Sequence, residues 1–270
     1  MNKSQLMKNK KGLVMGVANE RSIAWAIAKG LSNAGAEVAL SYQGETLKKR
    51  VYPLAKEINS SLILECNVEK EDNIVKTFKK IKNKWNNLDF VLHAIAFSDR
   101  EELKGRYIDT SKENFKKTLN ISCFSFTSIS KEASKIMEKG GSLLTLTYFG
   151  SEKVMPHYNV MGIAKAALET SIKYLAKDLG QKNIRVNGLS PGPIKTLAAS
   201  AIGDFNYILK WNEQNSPLKR NITSEEIAGS ALYLLSDLAS GVTGEIHHVD
   251  SGYNIIGMKN SDSPDIFENK

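Results

Sequence analysis

The stretch "GLVMGVANERSIAWAIAKGLSNAG", Gly12 to Gly35, decides the fold. Its first six residues, Gly12–Val17, are an apolar run of strand length. From Ser22 the pattern changes. Ile23, Ile27 and Leu31 recur at helical spacing, and Gly35 supplies a stop. A buried strand running into a helix opens a β-α-β unit. Gly16 stands at the junction, where the chain turns tightly and backbone can approach a phosphate. Ser22 stands where the helix begins. Its hydroxyl is expected to cap that helix, whose N-terminus favours an anion. The full G-x-G-x-x-G pattern is absent, because Glu20 and Ser22 stand where further glycines would fall. Alone, this turn fits a dinucleotide cradle and a plain connection equally well.

Outward from it, the same alternation repeats. "EVALSY" (37–42), "SLILEC" (61–66), "LDFVLHAIA" (88–96), "GSLLTLT" (141–147), "IRVNGLS" (184–190) and "GEIHHVD" (244–250) read as strands. Helical patterns separate them, including one long helix over 111–139 and another over 160–179. Continuously apolar strands with helices between them imply a parallel sheet covered on both faces. There is no linker, internal repeat or low-complexity segment. The expectation is α/β: one doubly wound domain over 1–270, its sheet mostly parallel with seven strands, and tails at 1–10 and 259–270. Ligands of such sheets bind at the carboxyl ends of the strands.

Composition narrows the function classes. The apolar fraction of 41% suits a packed core. There is no apolar run of about 18 residues, so no membrane helix is expected. "MNKSQLMKNKKG" is basic and lacks a signal peptide's apolar stretch. Cys66 and Cys123 both lie in apolar runs and read as inert thiols of a cytoplasmic protein. The net charge of +8 raises a nucleic-acid partner. However, the lysines are scattered, "KTFKKIKNK" (76–84) reads as a solvated helix face, and no nucleic-acid motif accompanies it. His93, His247 and His248 do not form a metal-ligand set, so no metal is expected.

At the second strand end Gln43 occupies the place where a residue meets an adenosine ribose. No arginine adjoins it to hold a 2′-phosphate, so NADH is favoured over NADPH. Lys48, Lys49 and Arg50 follow and read more readily as a solvated helix face.

Four stretches then occur in order: "GVANERSIA" (16–24), "YNVMGIAK" (158–165), "SPGPIKTLAAS" (190–200) and "GEIHHVDSGY" (244–253). Together they closely resemble the NADH-dependent enoyl-acyl-carrier-protein reductases of bacterial fatty-acid synthesis, a divergent branch of the short-chain dehydrogenase/reductases. The resemblance covers about residues 11–258. It implies a Rossmann-type domain, a homotetramer, and acyl carrier protein bearing trans-2-enoyl chains as partner, with neither nucleic acid nor membrane. It implies Gly16, Ser22 and Ile23 along the pyrophosphate, Gln43 near the adenosine ribose, and Asn67 and Val68 flanking adenine. Asn67 stands where aspartate is expected. Ile95 would lie beside the cofactor, and Ile194, Lys195, Thr196, Leu197 and Ala198 would cover nicotinamide and phosphates. Ser98 would lie near the acyl substrate. Asn120 is given no role.

The carbonyl reductases of this superfamily carry Y-x-x-x-K, which would put tyrosine at position 161. This chain has Met161, and its tyrosine is Tyr158. Three residues correspond to roughly 4.5 Å along a helix, and seven residues to two turns less about 20°. Tyr158 and Lys165 therefore share a face if the helix reaches back that far. In ketone reduction, hydride arrives on the carbon that bears the oxygen. In enoyl reduction it arrives on C3, and charge develops on the thioester oxygen two carbons further along. A donor set back from the nicotinamide suits the second reaction. The resemblance thus implies Tyr158 as hydrogen-bond donor to the enolate oxygen and Lys165 on the nicotinamide ribose, its charge favouring a tyrosinate-like Tyr158. Tyr148, at the end of the fifth strand, would line the pocket near the reacting carbons.

Residues 196–220 are amphipathic and broken by Gly203. Read from the residues they fit a core helix as well as a lid; the resemblance favours a substrate-binding lid. Lys195, Lys210, Lys219 and Arg220 could steer an acidic carrier protein. Two competing functions stay open at this point: reduction of a 3-oxoacyl thioester or ketone, and nucleotide sensing without catalysis.

Overall fold

The computed structural model describes residues 5–197, 203–259 and 263. Seven parallel strands form one sheet in the order β3-β2-β1-β4-β5-β6-β7. They are β1 Lys11–Met15, β2 Glu37–Tyr42, β3 Ile63–Glu65, β4 Phe90–His93, β5 Gly141–Leu146, β6 Ile184–Pro191 and β7 Ile246–Val249. All seven predicted strands are present: β2 has the expected bounds, β6 runs one residue further, and the others are shorter or shifted at their ends.

Helices cover both faces, as apolar strands require. On one face lie α1 (Ile23–Asn33), α2 (Gly44–Glu57) and α8 (Ser224–Leu235), sharing a core with Val14, Leu40 and Leu92. Ile27 and Leu31, the residues that set the period of α1, are fully buried there. Each such side chain contributes ~1.5–3 kcal/mol. On the other face lie α3 (Glu71–Trp85), α5 (Ser125–Ala133) and α6 (Val160–Leu179), packed on Leu13, Val91, Leu143 and Val186.

Two expectations need correction. The long helix over 111–139 is three pieces: α4 (Lys112–Leu119), a π-helical turn over Asn120–Phe124, and α5, which ends at Ala133. Hydroxyls explain the interruption. Ser125 bonds back to the Ile121 carbonyl at 2.6 Å, and Ser122 turns out to the backbone of Phe97. The N-terminal tail also does not extend to residue 10. Met7 is fully buried, and its N–H bonds the Ala34 carbonyl at 2.8 Å.

The order of strands reverses between β1 and β4, which makes their carboxyl ends the crevice for a ligand. The register aligns Met15, His93, Thr145, Gly188 and Ile246 in one row across the sheet. Residues just beyond that row build the site.

Candidate active site

The nucleotide end starts at Gly16, directly after β1. Its φ is +96°, and a Cβ there would lie 2.0 Å from the Ala94 carbonyl oxygen. Only glycine fits, so backbone is bared at the crevice. Ser22 precedes α1 but does not cap it, contrary to expectation. Its hydroxyl accepts from the N–H groups of Ala18 and Asn19, each at 3.0 Å, and so shapes the loop instead. Ile23 opens α1, whose first turn carries no acidic residue. By contrast α3 and α8 begin with carboxylates of their own, Glu71 and Asp72 in one, Glu225 and Glu226 in the other. The N-terminal dipole of α1 is therefore open to an outside anion. A bare glycine turn under such a helix fits a dinucleotide pyrophosphate.

The other predicted contacts lie around this crevice. Gln43 is exposed between β2 and α2. Asn67 follows β3, its side-chain oxygen held by the Glu69 N–H at 2.9 Å, beside buried Val68. Half-buried Ile95 follows β4, packed against the core of the face that carries α3, α5 and α6. Ile194, Lys195, Thr196 and Leu197 run on from β6, with Ile194 against the core and Lys195 and Leu197 exposed. Ala198 lies outside the described residues.

At the redox end, Lys165 comes from the second turn of α6 and is almost fully buried. Its ammonium donates to the carbonyl of Leu146, the last residue of β5, at 2.6 Å. Tyr158 is buried as well, but α6 does not reach back to it. The helix begins at Val160, and Tyr158 sits in a turn between His157 at φ 54° and Asn159 at φ 39°. The shared helical face is thus replaced by a strained turn that aims the phenol independently. Tyr158 packs edge-on against Tyr148, ring centroids 5.0 Å apart. A Cβ on Gly150 would fall 2.4 Å from the Tyr158 ring, so this glycine makes room for it. Met161, where a carbonyl reductase would carry its tyrosine, is buried under Tyr158 beside Leu103 and Val160.

Burial sets the electrostatics. It lowers the Lys165 ammonium to about 8, against which Glu169 and then Cys123 act to raise it. Burial, followed by Tyr148 and Glu169, pushes the Tyr158 phenol well above its usual range, and burial does the same to Tyr148. The expected tyrosinate-like tendency is absent. Tyr158 keeps its proton and is an O–H donor. Burial likewise raises both thiols, Cys66 and Cys123. His93 is structural: its ring nitrogens meet the hydroxyls of Thr145 and Ser125 at 2.9 Å each.

Tyr148 also borders a cavity of about 190 Å³ closed on its far side by Tyr207, Ile208 and Trp211 of α7 (Phe205–Asn215), with Tyr253 beside them. A larger space of about 420 Å³ lies between Pro193–Lys195 and α7, away from both tyrosines. Ser98 is apart from this cavity's lining. Its hydroxyl receives the Thr118 hydroxyl at 3.0 Å and faces Asn114, which ties the segment after β4 to α4. Arg220 forms a two-pronged ion pair with Glu226 at 2.6 and 2.9 Å, so less of its charge is offered outward than expected.

Two polar residues went unnoticed in the sequence. Asn159 donates its amide to the carbonyls of Leu103 and Gly105 at 3.2 and 3.3 Å, clamping the Tyr158 turn to the segment after β4. Glu169 accepts hydroxyls from both Thr147 and Ser151, either side of Tyr148. Glu169 was findable, since it lies four residues after Lys165 and so one helical turn away.

Such a sheet, with a buried lysine bonded to the last carbonyl of β5 and a pair of packed tyrosines in the segment that follows, places the chain among the nucleotide-dependent short-chain dehydrogenases and reductases. Comparison with known proteins narrows this. The chain belongs to the enoyl-(acyl carrier protein) reductase family, whose model matches residues 16–254. It is 62% identical to enoyl-[acyl-carrier-protein] reductase [NADH] 1 of Rhizobium meliloti, over 97% of each chain. It is 57% identical to the enoyl-[acyl-carrier-protein] reductase [NADH] of Rickettsia typhi, over 94% of this chain and 97% of the other. Among solved structures, the Anaplasma phagocytophilum enoyl-(acyl-carrier-protein) reductase in complex with NAD superposes with a TM-score of 0.93. It shares 55% identity over 98% of this chain and 100% of that one. The Bacillus cereus enzyme, crystallised with NADP+ and indole naphthyridinone, also gives a TM-score of 0.93, with 51% identity over 94% of this chain and 100% of the other.

Proposed function

We propose that this protein reduces the C2=C3 double bond of trans-2-enoyl thioesters on acyl carrier protein with NADH, the last reductive step of fatty-acid elongation. Family membership and the NADH-dependent relatives support the reaction and cofactor. The observation that carries it in this chain is the buried Tyr158, seven residues before Lys165 and with its phenol raised by burial, together with Met161 filling the carbonyl reductases' tyrosine position. That replacement weighs against 3-oxoacyl reduction.

When bound, NADH supplies hydride to C3 of the substrate. The residues that would hold it are Gly16, Ser22, Ile23, Gln43, Asn67, Val68, Ile95, Lys165 and the 194–198 segment. Gly16 and the start of α1 take the pyrophosphate, and Lys165 takes the nicotinamide ribose. Tyr158 donates its O–H to the thioester oxygen as negative charge gathers there. Donation from a buried, preorganised phenol is stronger than from water. Tyr148 packs Tyr158 into position and lines the acyl cavity. Ser98 supports the segment beside it. Residues 196–220, which include α7, act as a lid over the acyl chain. Lys195, Lys210 and Lys219 steer the acidic carrier protein.

The active form is a homotetramer, supported by exposed apolar residues Phe124, Ile163 and Tyr174 along the π-turn and α6. A cytoplasmic location agrees with the finding that no helix among the described residues is long and apolar enough to cross a membrane.

The test is loss of NADH absorbance with a trans-2-enoyl thioester, then with a 3-oxoacyl thioester. Consumption with the ketone alone would overturn the reading. Tyr158→Phe should lower kcat by roughly 100-fold or more while NADH affinity, read by fluorescence titration, stays close to wild type.

A further inference from the structure

Thr147 and Ser151 enclose the turn that carries Tyr148: Thr147 directly precedes the tyrosine, and Ser151 ends the short 3₁₀ turn after it. Both hydroxyls donate to the same oxygen, Oε1 of Glu169, at 2.5 Å. Glu169 belongs to α6, four residues after Lys165, so one side chain spans from the lysine's helix to both ends of the tyrosine's turn. Nothing in the fold demands a carboxylate there. Two hydroxyls could be satisfied by backbone carbonyls, and the position is only half-buried.

The groups that face Lys165 explain why a charge is useful. Cys123, from the π-turn, is a thiol held neutral by burial. His93, from β4, stays neutral down to about pH 3. Tyr148 and Tyr158, from the segments before α6, keep their protons. Among the described residues Glu169 is therefore the anion acting on this buried ammonium.

We propose that Glu169 is a positioning residue for the reductase: its carboxylate pins both ends of the Tyr148 turn through Thr147 and Ser151, and its charge sits one helical turn from the Lys165 ammonium that serves the cofactor. This rests on the enoyl-reductase reading above. The position of Tyr148 sets that of Tyr158, whose ring packs against it. The carboxylate thus reaches both the cofactor side and the donor side of the reaction without touching substrate.

The experiment follows NADH affinity and enoyl turnover against pH for wild type, Glu169→Gln and Glu169→Asp. In the wild type, affinity should fall above a midpoint near the free-enzyme value of about 8 for Lys165. Glu169→Gln keeps the two acceptor bonds and removes the charge. Its midpoint should move down by about half a pH unit or more. Glu169→Asp keeps the charge but shortens the reach, so its midpoint stays and its kcat falls. The pair Thr147→Val and Ser151→Ala should lower kcat without moving the midpoint. An unmoved midpoint in Glu169→Gln, with enoyl turnover intact in the wild type, overturns this inference alone. So does wild-type kcat in Glu169→Asp, which decides the matter should the glutamine variant not fold. Absence of enoyl turnover in the wild type overturns the functional reading and this inference together.

Discussion

Acid should destabilise this protein through one buried imidazole. His93 is fully buried at the end of β4, and desolvation, with the Lys165 charge second, lowers its pKa to about 3. In the unfolded chain the ordinary value is about 6.5. A base whose folded pKa is depressed leaves the unfolded state holding more protons between the two values. Stability is therefore unaffected well above 6.5 and is lost as pH falls from about 6.5 toward about 3. Between pH 7 and pH 5 the loss integrates to about 2 kcal/mol, at ~1.4 kcal/mol per pH unit once the unfolded histidine is charged. The isosteric test is His93→Asn, which lacks the titration. It also forfeits the bonds to Thr145 and Ser125, so the variant is less stable at every pH. The informative quantity is the slope. Urea unfolding at pH 5, 6 and 7 should show wild-type stability falling more steeply than the variant's by about one proton's worth. Surface carboxylates titrate in both proteins and cancel in the difference. Parallel slopes would refute the reasoning, because the buried ring would then be shown to take up its proton in the folded state.

Two further outcomes follow from the same geometry. Gly16→Ala places a Cβ 2.0 Å from the Ala94 carbonyl at a φ that side chains avoid. It should cost ~1–3 kcal/mol and weaken NADH by at least about tenfold, seen as a lower thermal midpoint together with a right-shifted fluorescence titration; wild-type values for both would remove the cradle argument. Asn159→Ala breaks the clamp to Leu103 and Gly105 and leaves alanine at a φ of 39°. Losing these bonds, each worth ~0.5–1.5 kcal/mol, should lower kcat with the enoyl substrate by about tenfold while NADH affinity holds; an affinity loss of the same size would instead mean that the turn supports the cofactor.

The parallel sheet was legible because its signals are local. Each strand is a short apolar run, and each helix repeats an inward-facing stripe, as half-buried Ile23 and fully buried Ile27 and Leu31 do in α1. Gly16 was legible for the same reason: a strand that ends at a glycine before a helix has few backbone solutions. The split of the 111–139 segment was hidden. Thr118, Ser122 and Ser125 have ordinary helical spacing, and only their tertiary partners, Ser98, Phe97 and His93, turn them into an interruption. Ser22 misled for a related reason. The residue type predicts a cap, yet its hydroxyl is taken by two amides upstream.

The placement of Tyr158 shows where spacing ceases to inform. Counting residues back from Lys165 presumes a helix, and on that presumption the phenol arrives on the right face. In the structure the helix begins at Val160 and a turn carries the phenol instead. His157 and Asn159 both adopt positive φ, which no periodicity announces, and each such residue costs of order 1–3 kcal/mol. That strain persists because neighbouring contacts over-determine the turn. The Asn159 amide is tied to the segment after β4, Gly150 yields space to the ring, and Met161 fills the volume beneath it. A turn held this way can move its phenol relative to the lysine without disturbing α6, whereas a tyrosine inside the helix moves only in steps of a residue. On the proposed reading, in which Tyr158 is the donor, freeing it from the helix while leaving Lys165 on it is a means of separating the site of hydride arrival from the site of charge stabilisation, which reduction of a conjugated thioester requires.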